Sequence, residues 1–375
     1  MKVIAFYLPQ FHQIPENDAW WGEGFTEWTN MKKADALFEG HNQPRIPLDN
    51  NYYNLLDTNV QRWQINLAKK YGVYGFCFYH YWFSGKKLLE KPIENYFEDK
   101  SLDLPFCMSW ANEPWTNAWK GTDLKVLIEQ KYGDKNEWKE HFEYLLPYFL
   151  DSRYIRVDEK PLFIIYRPDI MENLEEMLRY WDELAKQSGL KGICYSYQHH
   201  KYYFQNKVSS IFDYGIEYQP GFAQLSQDVG MRKMIRKICM MIGDFSEKYL
   251  HGALNLSRGE VQKMNYDKVW ESILSYQHNT EKMIPGAFVD WDNTPRRGKK
   301  GSLMIGATPE KFKKYFKQQV VRARDVYKKD MLFIFAWNEW AEGGYLEPDE
   351  NNKYGYLEAI LESLQETGEL KGWKL

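Results

Sequence analysis

Lys2-Val3-Ile4-Ala5-Phe6-Tyr7-Leu8-Pro9-Gln10-Phe11-His12 opens the chain with an unbroken apolar run that stops at a proline. A strand buried on both faces reads as such a run, whereas a half-exposed strand alternates. An open, doubly wound sheet that binds a nucleotide would place a glycine-rich phosphate turn directly after this strand. Pro9-Gln10-Phe11-His12 contains no glycine, so that architecture is the runner-up. Seven further runs resemble the first: Gly75–Tyr79, Phe106–Trp110, Leu162–Tyr166, Ile193–Tyr197, Phe212–Ile216, Gly286–Val289 and Leu332–Ala336.

Helical patterns separate most of these runs, at Thr58–Tyr71, Asn136–Phe149, Asn173–Ser188, Met231–Leu250, Tyr266–Tyr276 and Pro309–Lys328, with a last one at about Tyr354–Gly368. Eight strands in βα alternation predict an α/β fold, a single TIM-type (β/α)8 barrel filling residues 1–375. Two spacings are long. Residues 9–57 and 217–285 read as loop insertions after strands 1 and 6, on the face where such barrels carry their sites.

The 375 residues carry a formal charge of −3, and 27% are charged. That balance argues against a nucleic-acid partner, which needs a basic surface. Aromatic residues reach 17%, with 15 Trp, 28 Tyr and 21 Phe. Flat rings with polar handles suit a sugar-binding cleft, and equally an aromatic core. Cys77, Cys107, Cys194 and Cys239 form no C-x-x-C and read as reduced thiols. Residues 1–8 are too short for a signal sequence, and no run approaches the roughly 18 apolar residues of a membrane span. A cytoplasmic protein is therefore expected, with no cofactor, no metal and no integral membrane segment. Oligomeric state leaves no signature.

The chemistry-bearing residues cluster after the strands. Tyr7 and His12 follow the first, and His80-Tyr81-Trp82 the second. Trp110-Ala111-Asn112-Glu113-Pro114-Trp115 follows the third, and Asp290-Trp291-Asp292 with Arg296 the seventh. Trp337-Asn338-Glu339-Trp340-Ala341-Glu342-Gly343-Gly344-Tyr345 follows the eighth. Carboxylates among tryptophans are costly unless paired or protonated, and a protonated acid beside an ionised one is what glycoside chemistry uses. Glu339 and Glu342 are the sharpest pair. A tight turn could aim both into one cleft at about 5 Å, or Glu342 could cap a turn while Glu339 pairs with Arg296. Glu113 competes as acid/base, against a binding role for Asn112 and Glu113. Trp28, Trp82, Trp110, Trp115 and Trp337 are assigned to stacking or cleft walls. Asn112, Glu113, Asp290, Asp292 and Arg296 are assigned to hydroxyls or an acidic substituent. His12, His41 and His80 are weaker hydroxyl-binding candidates. The D-x-D pattern of Asp290 and Asp292 would suit a metal-dependent transferase, but no phosphate-binding element accompanies it. The basic, Met-rich stretch 231–241 reads as a packed amphipathic helix before it reads as a membrane contact.

Several of these segments together are similar to the WbsX family, labelled as glycosyltransferases of lipopolysaccharide O-antigen clusters. The resemblance rests on Ala5-Phe6-Tyr7-Leu8-Pro9-Gln10-Phe11-His12, Asn17-Asp18, Trp20-Trp21-Gly22 and Gly24-Phe25-Thr26-Glu27-Trp28. It rests also on His80-Tyr81-Trp82-Phe83, Trp110 to Glu113 and Trp337 to Gly343. WbsX proteins in turn resemble glycoside hydrolase family 99, retaining endo-α-mannosidases built on (β/α)8 barrels. That likeness implies Glu339 as base on the substrate 2-hydroxyl, passing through a 1,2-anhydro sugar, and Glu342 as general acid and then base. It adds Glu27, Asn338 and Tyr345 to the substrate-binding set, and Ala341 stands where the hydrolases often carry His. The expected function is cleavage or transfer of glycosidic bonds in a polysaccharide or oligosaccharide. The rivals are a sugar-nucleotide glycosyltransferase and a non-catalytic glycan-binding barrel.

Overall fold

The computed structural model describes residues 1–116, 125–200, 210–223, 261–277 and 280–370. Eight strand positions form a parallel barrel in the order of the chain. The first six are Lys2–Tyr7, Gly75–Phe83, Phe106–Trp110, Lys160–Ile165, Cys194–His199 and Tyr214–Glu217. The seventh is split by Pro285 into Met283–Ile284 and Gly286–Phe288, and the eighth is Met331–Phe335. The first half of the seventh pairs with the sixth and the second half with the eighth, while strand 8 pairs with strand 1. The ring therefore closes through the chain itself at Pro285. Gly286 sits at this junction: a Cβ there would lie 1.7 Å from the Glu217 carbonyl oxygen, so only glycine allows the approach.

The strands are buried along nearly their whole length, as the continuous apolar runs predict. The second strand is longer than expected. It runs on to Phe83 because Lys86–Leu88 folds back on it, pairing Tyr81 with Leu88. The helices Thr58–Lys70, Lys135–Leu150, Leu174–Gln187, Tyr266–Ser275, Pro309–Asp325 and Gly355–Glu366 fall within a few residues of their predicted places. Their starts are chemically marked. Asp57, Asp134, Asn265 and Thr308 each accept a backbone N–H of the first turn. Helix Lys91–Glu98, between strands 2 and 3, was not anticipated.

Rings fill the barrel axis. Phe6 meets Tyr79, Tyr218 and Phe333 with centroids 5.3–5.8 Å apart. Trp110, Trp181, Trp270, Trp337 and Trp340 are also fully buried, so much of the aromatic excess is core. Cys77, Cys107 and Cys194 are buried free thiols. Among the described residues no helix is long and apolar enough to cross a membrane. The basic stretch 231–241 lies outside the described residues.

Candidate active site

A cleft opens beyond the C-terminal ends of the strands, with Glu339, Glu342, Arg296, Glu113 and Trp115 on its walls. Tyr79 and Tyr218 form part of its lining, with their hydroxyls 2.9 Å apart.

The two glutamates are placed by a small hairpin. Asn338–Glu339 pairs antiparallel with Gly344–Tyr345, and one 3-10 turn, Trp340–Glu342, joins them. Gly343 ends that turn at φ 67°, and a Cβ there would sit 2.7 Å from the Asp292 backbone nitrogen, so the tight turn depends on glycine. The backbone N–H of Asp292 donates to the Glu342 carbonyl at 2.7 Å, locking the turn to the seventh strand's loop.

Arg296 gathers the acids. Its Nη1 donates to Glu342 Oε1 at 2.5 Å, its Nη2 to Glu339 Oε2 at 3.4 Å, and its Nε to Glu27 Oε1 at 2.9 Å. The guanidinium is held in turn. Asp292 accepts the Thr294 hydroxyl at 2.6 Å and its N–H at 3.0 Å, anchoring the short helix Thr294–Arg297. Asp292 also meets His41 at 2.9 Å and Gln43 at 2.8 Å, and Asp290 meets Arg45 at 2.8 Å. The two aspartates of the D-x-D pattern are thus engaged beneath the site.

Three carboxylates on one guanidinium leave two uncompensated charges if all ionise. Burial and mutual repulsion push Glu339 up to about 8, and burial with the charge on Glu27 raises Glu342 against the pull of Arg296. The pair behaves as one unit that keeps a proton at neutral pH. That proton favours Glu339, since Glu342 holds the shorter contact to Arg296 and is 22% exposed against 7% for Glu339. Across the cleft, burial also raises Glu113 against the pull of Arg167 at 3.3 Å.

Of the residues selected from sequence, Glu113, Trp115, Arg296, Glu339 and Glu342 line this cleft. Glu27 stands behind Arg296, with its side chain fully buried. The side chains of the remaining candidates lie outside this lining. Tyr7 donates to Gln64, and His12 meets the Pro9 carbonyl. Trp28 packs on Phe11 and Trp340. His80 meets His141 at 2.8 Å, Trp82 stacks on that same His141 at 4.5 Å, and the Trp110 indole donates to the Trp82 carbonyl. Asn112 braces the Arg167 backbone, Asn338 braces Leu8, and Tyr345 stacks on Trp340 and donates to Asp349. His41 is spent on Asp292. Strand parity explains where the second-strand candidates lie. Successive side chains point to opposite faces, so with Tyr79 and Tyr81 turned into the cleft, His80 and Trp82 face the helix layer. Gln10, Trp21, Tyr79, Tyr81, Tyr166 and Tyr218 are the lining residues the sequence reading missed. Counting by twos from the buried start of the second strand would have found Tyr79 and Tyr81.

Glu347 was also missed. It is buried, with no cation beside it among the described residues, and accepts from four neutral donors: Gln64 at 2.7 Å, Tyr53 at 2.8 Å, Trp337 at 3.1 Å and Trp340 at 2.7 Å. Burial raises it to about 7. The indoles it holds flank Asn338-Glu339 in sequence, so it clamps the hairpin from behind.

The fold and cleft define a class, a TIM-type (β/α)8 barrel with acidic residues at the mouth. The chain belongs to the WbsX family: the model described as Glycosyltransferase WbsX matches residues 3–360. Two uncharacterized WxcX proteins from strains of Xanthomonas campestris pv. campestris are 35% identical to it over 364 and 367 residues. The match covers 96% of this chain and 49% of each relative, so the chain spans about half the length of the curated relatives it matches. A GH99 endo-α-mannosidase from Bacteroides thetaiotaomicron, solved with bis-tris propane, shares the fold at a TM-score of 0.57 and 14% identity, covering 99% of this chain and 98% of that one. A second structure of the GH99 endo-α-mannosidase from Bacteroides thetaiotaomicron gives 0.54 at 14% identity, with 98% of each chain covered. A glycoside hydrolase-like protein gives 0.57 at 12% identity, over 96% of this chain and 93% of that one.

Proposed function

We propose that this protein cleaves or transfers glycosidic bonds in a polysaccharide or oligosaccharide, with Glu339 and Glu342 as the reacting pair. The observation that carries the reading is their convergence, three residues apart, on Arg296 at the mouth of the barrel. The GH99-like fold supports it.

The mechanism is retaining and uses the substrate's own 2-hydroxyl. Glu339 accepts the proton of that hydroxyl as its oxygen attacks the anomeric carbon. The bond to the leaving oxygen breaks, and that oxygen takes a proton from Glu342. Glu342 then removes a proton from water or an acceptor alcohol, which opens the anhydro sugar, and Glu339 returns its proton to the 2-oxygen. One proton on the pair suffices throughout. With the Arg296–Glu342 contact in place the proton favours Glu339, so substrate binding has to relax that contact and hand the proton to Glu342.

Aryl glycosides distinguish this assignment from its reverse. A good leaving group dispenses with the acid in the first step. Glu342→Gln should therefore recover that step on an activated aryl glycoside, while Glu339→Gln should not. Recovery by Glu339→Gln alone reverses the roles, and recovery by neither removes the pair from the acid step. An acceptor alcohol in place of water gives transfer, which accommodates the family's transferase label. A nucleotide sugar would bring a diphosphate to a cleft whose central cation is already held by three carboxylates. Saturable nucleotide-sugar binding in calorimetry would favour the transferase reading. A wild type and a Glu342→Gln protein that both bind glycan and never turn it over would leave a lectin-like barrel.

A further inference from the structure

A second cavity, of about 470 Å³, lies apart from the cleft and shares none of its lining residues. It sits where the loop Pro47–Tyr53, the helix Thr58–Lys70 and the turn before Gly355–Glu366 meet. Tyr52, Trp63 and Tyr354 are half-buried along its walls, and Asp49, Asn50 and Asn51 supply polar side chains.

The loop presents those side chains because its backbone is already occupied. The N–H groups of Asn50, Asn51 and Tyr52 donate to carbonyls of the same turn, at Pro47, Leu48 and Asn50, and that of Asp49 donates to Glu350. Asp49 and Asn50 take positive φ of 56° and 53°, a conformation that short polar residues tolerate. Flat rings that are neither fully exposed nor sealed offer faces to apolar C–H surfaces. Amide and carboxylate groups beside them pair with hydroxyls. Among the described residues the lining includes Asp49 and no Lys or Arg, which argues against a phosphate or a uronate, while Lys32 and Lys70 lie over the Tyr52 and Tyr354 rings at 4.1 and 5.9 Å. One wall is Trp340, the first residue of the turn that joins Glu339 to Glu342, with Glu347 beneath it.

We infer that this cavity is a second carbohydrate-binding site that takes an uncharged stretch of a polysaccharide, separate from the catalytic cleft. Its place beside the hairpin lets it hold a long chain near the reacting end. The inference rests on the proposed carbohydrate function for the choice of ligand class.

Native-gel retardation tests it, with yeast mannan, dextran and galactan cast into the gel and alginate as the anionic control. The expected result is that at least one neutral polymer retards the wild type, and that Trp63→Ala and Asn51→Ala each weaken retardation, Trp63→Ala by about tenfold. Asn51→Ala alters an accessible loop side chain and keeps the fold, while thermal melting checks Trp63→Ala. Both variants should retain wild-type release of reducing ends from a short oligosaccharide substrate. Retardation unchanged in both variants overturns the site, as does retardation by alginate alone or by no polymer. Those outcomes leave the cleft assignment standing, since it is judged by reducing-end release and by Glu342→Gln.

Discussion

Two buried carboxyl centres bracket the hairpin of residues 338–345, and they are built oppositely. On the cleft side Glu339, Glu342 and Glu27 crowd one guanidinium, with more negative charge than Arg296 can neutralise. On the inner side Glu347 has no cation among the described residues and is met by four neutral N–H and O–H groups. Both carboxyls are raised, yet one centre is frustrated and the other is satisfied. A frustrated group keeps a proton it can give away and contacts it can exchange. A group whose four acceptor positions are filled fixes geometry instead. Reactivity and rigidity are thus assigned to neighbouring acids by their partners alone.

The comparison breaks most visibly at the reacting pair. Glu342→Gln should lower turnover of the natural substrate by on the order of a thousandfold with the fold retained, and steady-state kinetics with circular dichroism checks this. Near-normal turnover in that variant would end the reading of the cleft. Arg296→Met should come next. It strands three carboxylates and should cost roughly 3–5 kcal/mol by urea unfolding. Arg296→Lys should keep the fold and move the activity–pH profile upward, since one point charge neutralises the acids less well than the fork.

Glu347→Gln probes the satisfied centre. The new amide turns an N–H₂ towards donors that need an acceptor, costing about 1–3 kcal/mol. Catalysis should weaken without a change in the pH profile, whereas Arg296→Lys changes the profile. A shifted profile in Glu347→Gln would erase the proposed division of labour. A last effect, confined to the pH dependence of stability, concerns Glu217, buried with Tyr327 donating at 2.6 Å and raised by burial to about 7. The folded state holds its proton over a range where the unfolded chain has lost it, from about pH 4.5 to about pH 7. Stability from this group is therefore complete below the unfolded value and lost as pH rises through that window. Melting of Glu217→Gln at about pH 5 and about pH 8 should show a smaller decline than the wild type, by roughly 2–3 kcal/mol. Equal declines would show that Glu217 does not titrate there.

The barrel was legible because its strands are buried on both faces and the helices between them start at Asp, Asn or Thr. Those signals are local, and every expected strand among the described residues is present within a few residues. The split at Pro285 and the extension to Phe83 depend on partners far along the chain or on a returning segment, so no window of sequence contains them. The site was legible only in part. Glu339, Glu342, Glu113, Trp115 and Arg296 stood out because charge and indole rings after a strand are conspicuous, and they do line the cleft. Trp82, Trp110, Trp337 and His80 stood out equally and are buried behind it.

Sequence by itself determined the order of strands and helices, the acidic pair beyond the last strand and the glycine that lets its turn close. These follow from burial, capping and backbone freedom within short windows. The tertiary structure decided that Arg296 would gather Glu27, Glu339 and Glu342 from two distant segments, and that Glu347 would find four neutral donors. Whether a carboxyl ends up protonated and exchangeable or locked in place depends on charges and donors brought together across hundreds of residues, and only closure of the barrel brings them together.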